Sequence, residues 1–379
     1  MTTPPYTPLA ASLPASVPFV GPEAQERQRG QTFRARLGAN ESAFGPSPKA
    51  IAAMAEAAAE VWQYGDPENH DLKAALSQHH GVAVERIAVG EGIDGLLQVI
   101  ARLVTDFKTP VVTSAGAYPT FVYHVNGFGG HLVTVPYRDD KEDPDALAKA
   151  AKESDAALVY FANPDNPMGT WHGAEAVERL LAGLGDNTIL CLDEAYVEFA
   201  PEGTAPPMTF EDPRLIRLRT FSKAYGMAGA RIGYAITSPE LAKAFDKVRN
   251  HFGVNRVAQA GALAALADTD YLRRVTADVA AAKARIAQIA STHGLTPIQS
   301  ATNFLTLDVG ADGDAARRLV AALAERGVFV RMPFVAPQDR CIRVTAAPDA
   351  MLDVLEEELG PALSATFQDA QAAKAAHAG

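Results

Sequence analysis

Between Asp71 and about Asn250, short apolar runs bounded by Gly, Pro, Asn and Asp alternate with segments whose apolar residues recur at helical spacing. The runs predict strands over 86–89, 110–113, 131–135, 157–161, 189–193, 215–220 and 232–235. The intervening segments predict helices over 70–79, 94–103, 121–128, 144–151 and 174–184. An Ala-rich run over 49–63 predicts one more helix ahead of them. Such alternation calls for an α/β fold with a mostly parallel sheet covered on both faces, whose ligands bind at the carboxyl ends of the strands. From 239 to 291 the chain reads as Ala-rich helix. Apolar runs at 303–309 and 341–345 flank a helical stretch at 315–326, which predicts a smaller α+β unit. Residues 1 to about 30 are rich in Pro and small side chains, so they read as an extended arm. The polar, Ala-rich stretch 368–379 reads as a fraying end. The resulting division is an arm over 1–33, a small unit over 34–48 and 251–366, a large unit over 49–250 and a tail over 367–379.

Composition narrows the function classes. Hydrophobic residues make up 48% and charged residues 21% of 379, ordinary for a chain that buries a core. The net charge of −11 argues against non-specific nucleic-acid binding, which needs a basic face. No apolar run is long enough to cross a membrane, and no basic segment of signal type opens the chain, so the expected location is the cytoplasm. The two cysteines and nine histidines show no metal-ligand spacing, so no metal is expected.

Four segments carry candidate chemistry. Thr220-Phe221-Ser222-Lys223-Ala224-Tyr225-Gly226-Met227-Ala228-Gly229-Ala230-Arg231 follows a predicted strand. A lysine desolvated there would have a lowered pKa and could form a Schiff base, although Ser-Lys alone is more often a surface turn. Leu190-Cys191-Leu192-Asp193-Glu194-Ala195-Tyr196 ends a strand in two carboxylates and a tyrosine. Its Asp could form a turn or hold a protonated ring nitrogen. Asn163-Pro164-Asp165-Asn166-Pro167-Met168-Gly169 is a loop stiffened by prolines. Gly90-Glu91-Gly92-Ile93-Asp94-Gly95 is a Gly-rich turn opening a helix, where backbone amides can hold a phosphate.

In this order and combination the segments resemble the fold-type I, class I/II aminotransferases that use pyridoxal 5′-phosphate (PLP), and most of all the histidinol-phosphate aminotransferase family. The likeness spans about Leu37 to Leu363. It implies a large domain with a mostly parallel seven-stranded sheet between helices, a smaller α+β domain and an N-terminal arm. It also implies a homodimer with composite active sites, and ping-pong transfer of an amino group from a small-molecule donor to a 2-oxo acid such as 2-oxoglutarate.

The same resemblance assigns roles. Lys223 would carry the cofactor and shuttle a proton. Asp193 would bind the pyridine nitrogen, Tyr196 and Asn166 the ring 3′-oxygen, and Tyr118 the ring face. Gly92, Ile93, Asp94, Thr220, Ser222 and Arg231 would hold the phosphate. Tyr64 would reach the partner subunit's phosphate. Arg343 would clamp the substrate carboxylate or its equivalent, Asn40 and Asn303 would line the substrate site, and Arg331 would read a substrate phosphate. Phe44, Phe252 and Phe334 are candidates for an apolar side-chain pocket. Gly65, Ile93, Gly95 and Ala347 depart from the family pattern. An aromatic or other amino-acid aminotransferase, or a PLP-dependent decarboxylase of phosphothreonine type, would carry the same lysine segment. A PLP-sensing regulator would need a DNA-binding domain that the Pro-rich start does not resemble.

Overall fold

The computed structural model describes residues 5–15 and 20–377, with side chains to Phe367. Parts of the expected arm and tail, residues 1–4, 16–19 and 378–379, lie outside the described residues.

Seven strands form the main sheet: β1 (Ile87–Gly90), β2 (Pro110–Ser114), β3 (His131–Val135), β4 (Leu158–Ala162), β5 (Ile189–Asp193), β6 (Leu215–Thr220) and β7 (Gly233–Ile236). Their spatial order is β1-β7-β6-β5-β4-β2-β3. All neighbours run parallel except β7, which is antiparallel to both β1 and β6. The central strands β4 and β5 are almost wholly buried, which explains their unbroken apolar runs. Helices Gly92–Val104, Pro119–Gly127, Pro144–Ser154 and Ala174–Gly183 connect the strands and cover the two faces.

A second, antiparallel sheet holds β8 (Thr296–Ile298), β9 (Phe304–Asp308) and β10 (Cys341–Thr345), with β9 in the middle. Helices Thr269–Thr292, Gly313–Glu325 and Asp349–His377 pack on it around one apolar core. Ala35–Arg36 pairs in parallel with Val328–Phe329, so the segment after the arm is stitched to this layer. Helix Arg256–Ala267 behaves differently from expectation. It packs on helix Pro48–Ala58, and its buried side chains join the core beneath β1 and β7. It therefore sides with the large sheet and not with a small unit starting at 251.

The arm is not extended throughout. It contains helices Pro8–Ser12 and Pro22–Arg29, each with Pro in its first turn, where the missing N–H costs nothing. Glu26 fixes the second helix by accepting from the Phe33 amide at 2.8 Å and pairing with Arg36. The backbone of the last helix stays helical to His377, beyond the start of the expected fraying at 368.

Candidate active site

The carboxyl ends of β4, β5 and β6 open into a cavity of about 370 Å³, closed on the other side by residues from the second sheet and from the segment after the arm. The strand ends form its floor, the remaining segments its roof.

Asp193, the last residue of β5, is buried in the floor. Its Oδ1 accepts from the Ala195 amide at 2.9 Å and its Oδ2 from the Tyr160 hydroxyl at 2.7 Å. Burial pushes its carboxyl up to about 6, opposed by those two hydrogen bonds and by Lys223. The adjacent carboxylate has another fate. Glu194 is clasped by Arg217 at 2.7 Å and Arg219 at 2.9 Å. Burial alone would raise it, yet the two guanidinium groups hold it below the usual carboxylate range.

After β6 the chain turns sharply. The Thr220 hydroxyl donates to Ser222 Oγ at 2.9 Å and accepts from the Ser222 amide at 3.0 Å. The turn delivers Lys223 into the cavity, where Nζ donates to the Asn40 carbonyl at 3.0 Å. Removal from water, helped by Arg343, lowers its amine to about 8.

Asn40 organises the roof. Its backbone is left-handed (φ 56°), a conformation Asn tolerates. Its amide donates to Thr345 Oγ1 at 3.1 Å and its Nδ2 to the Tyr196 hydroxyl at 3.1 Å. Asn303 does not line the cavity. It buttresses it, with Nδ2 on the Asn40 carbonyl at 3.1 Å. Arg343 on β10 donates to Asn166 Oδ1 and, at 3.2 Å, to the Gly38 carbonyl. Because Arg can only donate, this contact fixes Asn166 with its amide nitrogen free to donate elsewhere. Burial lowers the Arg343 guanidinium to about 10, and its Nε is buried without a partner. Arg331 pairs with Arg343 through the backbone, and its Nη2 donates to the Val20 carbonyl at 2.8 Å.

Tyr118, Ile93, Asp94 and Arg231 complete the wall. Gly92 lies just outside it with φ 76°, beneath Arg231. A Cβ at Gly92 would stand 2.8 Å from Arg231 Nη2. Helix Gly92–Val104 starts here with no side-chain cap, so its first amides remain available to an anion. The Arg231 guanidinium donates to the carbonyls of Ala228 at 3.2 Å and Glu91 at 3.4 Å.

These groups fit a phosphorylated pyridine aldehyde. A phosphate would satisfy Arg231, Ser222 and the open helix start together, Asp193 would meet a ring nitrogen, and the buried amine of Lys223 would meet an aldehyde.

Tyr64, expected to reach a partner subunit, lies outside the cavity of its own chain, 77% exposed, with its ring tilted against Phe252 at 4.7 Å. The expected apolar pocket needs correction. Phe44 packs into the core of the second sheet, and Phe252 and Phe334 are exposed, so none of the three builds an apolar pocket. Two of the departures from the family pattern, Gly65 and Gly95, sit where a side chain would be crowded. A side chain at Gly65 would meet the Val254 carbonyl at 2.9 Å, and at Gly95 it would meet Glu91, which lies over that position at 3.1 Å. Tyr160 and Glu41 line the cavity without having been singled out. Tyr160 sits inside a uniformly buried strand, where periodicity is silent.

Comparison with known proteins agrees with this geometry. A family model described as "Aminotransferase class I and II" matches residues 35–359. Among curated relatives, histidinol-phosphate aminotransferase 1 of Cupriavidus pinatubonensis is 38% identical over 86% of this chain and 88% of its own length. Histidinol-phosphate aminotransferase 2 of Ralstonia nicotianae is 39% identical over 78% of this chain and 80% of its own. Among solved structures, histidinol-phosphate aminotransferase from Sinorhizobium meliloti in complex with pyridoxal-5′-phosphate is 53% identical, with a TM-score of 0.94 covering 96% of this chain and 99% of that one.

Proposed function

Because this chain belongs to the class I and II aminotransferases, we propose that it is a PLP-dependent transaminase acting on histidinol phosphate, with 2-oxoglutarate as amino acceptor. The observation that carries the reading is Lys223: an amine lowered to about 8, held on the Asn40 carbonyl and sharing its cavity with the buried Asp193. When bound, PLP supplies an electron sink for the charge that develops as the substrate's α-proton leaves.

The residues then divide the work. Lys223 Nζ would anchor the cofactor and move the proton at the substrate carbon. Asp193, kept anionic by Tyr160 and the Ala195 amide, would hold the ring nitrogen. Tyr196 and the amide nitrogen of Asn166 would donate to the ring oxygen, with Tyr118 lining the ring's site. Arg231, Ser222, Thr220 and the amides of Ile93 and Asp94 hold the cofactor phosphate. Arg343 and Arg331 face the substrate anion. Asn40 and Asn303 shape the wall behind them.

A homodimer completes the reading. Val61, Trp62, Tyr64 and Phe252 form an exposed apolar patch, which suits burial against a second copy and would bring Tyr64 to the partner's phosphate site. A cytoplasmic location would suit this reading.

The test is single-turnover spectroscopy of holoenzyme mixed separately with histidinol phosphate and phenylalanine, following the cofactor's visible band. Fast conversion by histidinol phosphate alone is expected. Conversion by phenylalanine and not by histidinol phosphate would make the protein an amino-acid aminotransferase and overturn the substrate assignment.

A further inference from the structure

Behind the loop that carries Asn166 lie two carboxyl groups with no place in the scheme above. Glu142 and Asp165 are each 2% exposed and contact one another through their side chains. Among the described residues, every other hydrogen bond to their carboxyl oxygens comes from a neutral group. Glu142 accepts from the Ser114 hydroxyl at 2.5 Å and from the Ala162 amide at 2.9 Å. Asp165 accepts from the Tyr137 hydroxyl at 2.9 Å and from the Met168 amide at 3.0 Å. Among the described residues no cation is hydrogen-bonded to either group, and the Arg343 guanidinium acts on Asp165 only at a distance. Two ionised carboxylates touching in a dry interior would repel strongly, whereas one proton between them turns the contact into a charge-assisted hydrogen bond.

We propose that Glu142 and Asp165 share one proton and together position Asn166 against Arg343. The placement supports this. Glu142 grips the last residue of β4 and Asp165 the loop that follows, so the pair spans the strand end and the turn. Asn166, the next residue, accepts from Arg343. Burial raises both carboxyl groups, which favours keeping a proton on the pair.

The charged and titratable groups facing the pair come from every neighbouring element. Tyr137 follows β3, Asp193 ends β5, Arg343 lies on β10, and the His172 ring bonds the Glu142 carbonyl at 2.8 Å. Loss of the shared proton adds a negative charge between Asp193 and Arg343. It loosens the loop and draws Arg343 away from a substrate anion. The pair is a positioning device and touches neither substrate nor cofactor.

The kinetic part of the test rests on the aminotransferase reading, and the spectroscopic part does not. Infrared spectra of wild-type holoenzyme at neutral pH are expected to show a protonated carboxyl band that disappears in Glu142→Gln and shifts in Asp165→Asn, where the buried acid loses its charged partner. KM for the amino donor is expected to rise by about tenfold per pH unit above the pair's ionisation, with kcat changed less. In Glu142→Gln, where an amide replaces the protonated group, that alkaline limb is expected to vanish. A wild-type KM profile retained in Glu142→Gln, or a carboxyl band unchanged in both variants, would overturn the proposal. Should the variants not fold, a neutron structure of the wild-type holoenzyme decides: a proton between the two groups supports the pair, and two bare carboxylates sink it.

Discussion

Floor and roof of the cavity are built in different ways. The floor hangs from the adjacent strands β4, β5 and β6, so Asp193 and the Thr220–Lys223 turn are placed by backbone pairing alone. The roof is gathered from distant segments: Arg343 reaches the Gly38 carbonyl and Asn40 reaches Thr345, each pair 305 residues apart. The floor's charges are balanced internally, with Glu194 clasped by Arg217 and Arg219 and Asp193 braced by Tyr160. The roof presents two guanidinium groups, Arg331 and Arg343, against the carboxylate of Glu41, and among the described residues no carboxylate is hydrogen-bonded to Arg343. A wall with fixed, compensated charge suits a resident group, and a wall with surplus positive charge suits an anionic visitor that comes and goes.

Lys223→Ala is the severest test of the floor. It should abolish the cofactor's lysine-dependent absorbance and lower turnover by at least about 10⁴-fold, since anchor and proton carrier are lost together. Near-wild-type turnover by the purified variant would dissolve the contrast between floor and roof altogether.

Arg343→Ala tests the roof. Hydrogen bonds to a charged group contribute about 1.5–3 kcal/mol, so kcat/KM should fall by about 10- to 100-fold. The visible band of the resting holoenzyme should stay in place. A loss of cofactor equal to the loss of kcat/KM would show that the roof belongs to the resident group as well. Arg331→Ala is the milder version. It should weaken phosphorylated amines by about tenfold and spare phenylalanine, as steady-state KM for each would show. Equal effects on both would leave Arg331 without a phosphate to read.

The same division explains what the sequence could disclose. The floor was legible because strand ends and the turns after them are contiguous: Asp193, Asn166 and Lys223 each close an apolar run. The α/β alternation was legible for the same reason. The roof entered only through the family resemblance, since nothing local to Asn40, Arg331 or Arg343 says that they meet. Isolated aromatics misled, because Phe44, Phe252 and Phe334 carry no pattern that separates core, patch and pocket. The arm misled because Pro was read as a breaker, whereas Pro8 and Pro22 occupy first helical turns. Tyr160 was invisible, since in Leu158–Ala162 every residue is buried and the one polar atom that matters looks like any other core side chain.

Tyr160→Phe should have the smallest effect, and it sharpens the comparison most by altering floor electrostatics with almost no change of shape. The Tyr160 ring stacks on Phe121 at 4.5 Å, and phenylalanine keeps that packing. What goes is the hydroxyl on Asp193 Oδ2, a bond that stabilises the carboxylate against the burial that has already raised it to about 6. Without it the Asp193 pKa should climb further, and the direction of each consequence follows. An acid raised on folding binds more protons folded than unfolded, so its contribution to apoenzyme stability is present below the ordinary carboxylate range and is lost as pH rises through the folded value. In the variant that loss should extend to higher pH. Cofactor retention runs the other way, because only the anion holds a protonated ring nitrogen. Wild type should release PLP more readily as pH falls through about 6, and the variant should begin to do so at higher pH. Near pH 8 the two should differ by only about threefold in cofactor affinity, a fraction of one hydrogen bond's worth. Titrating apoenzyme with PLP by fluorescence across this range measures both limbs. Identical pH profiles would mean that the Ala195 amide and Lys223 suffice to keep Asp193 ionised, and that Tyr160 serves the floor only by packing.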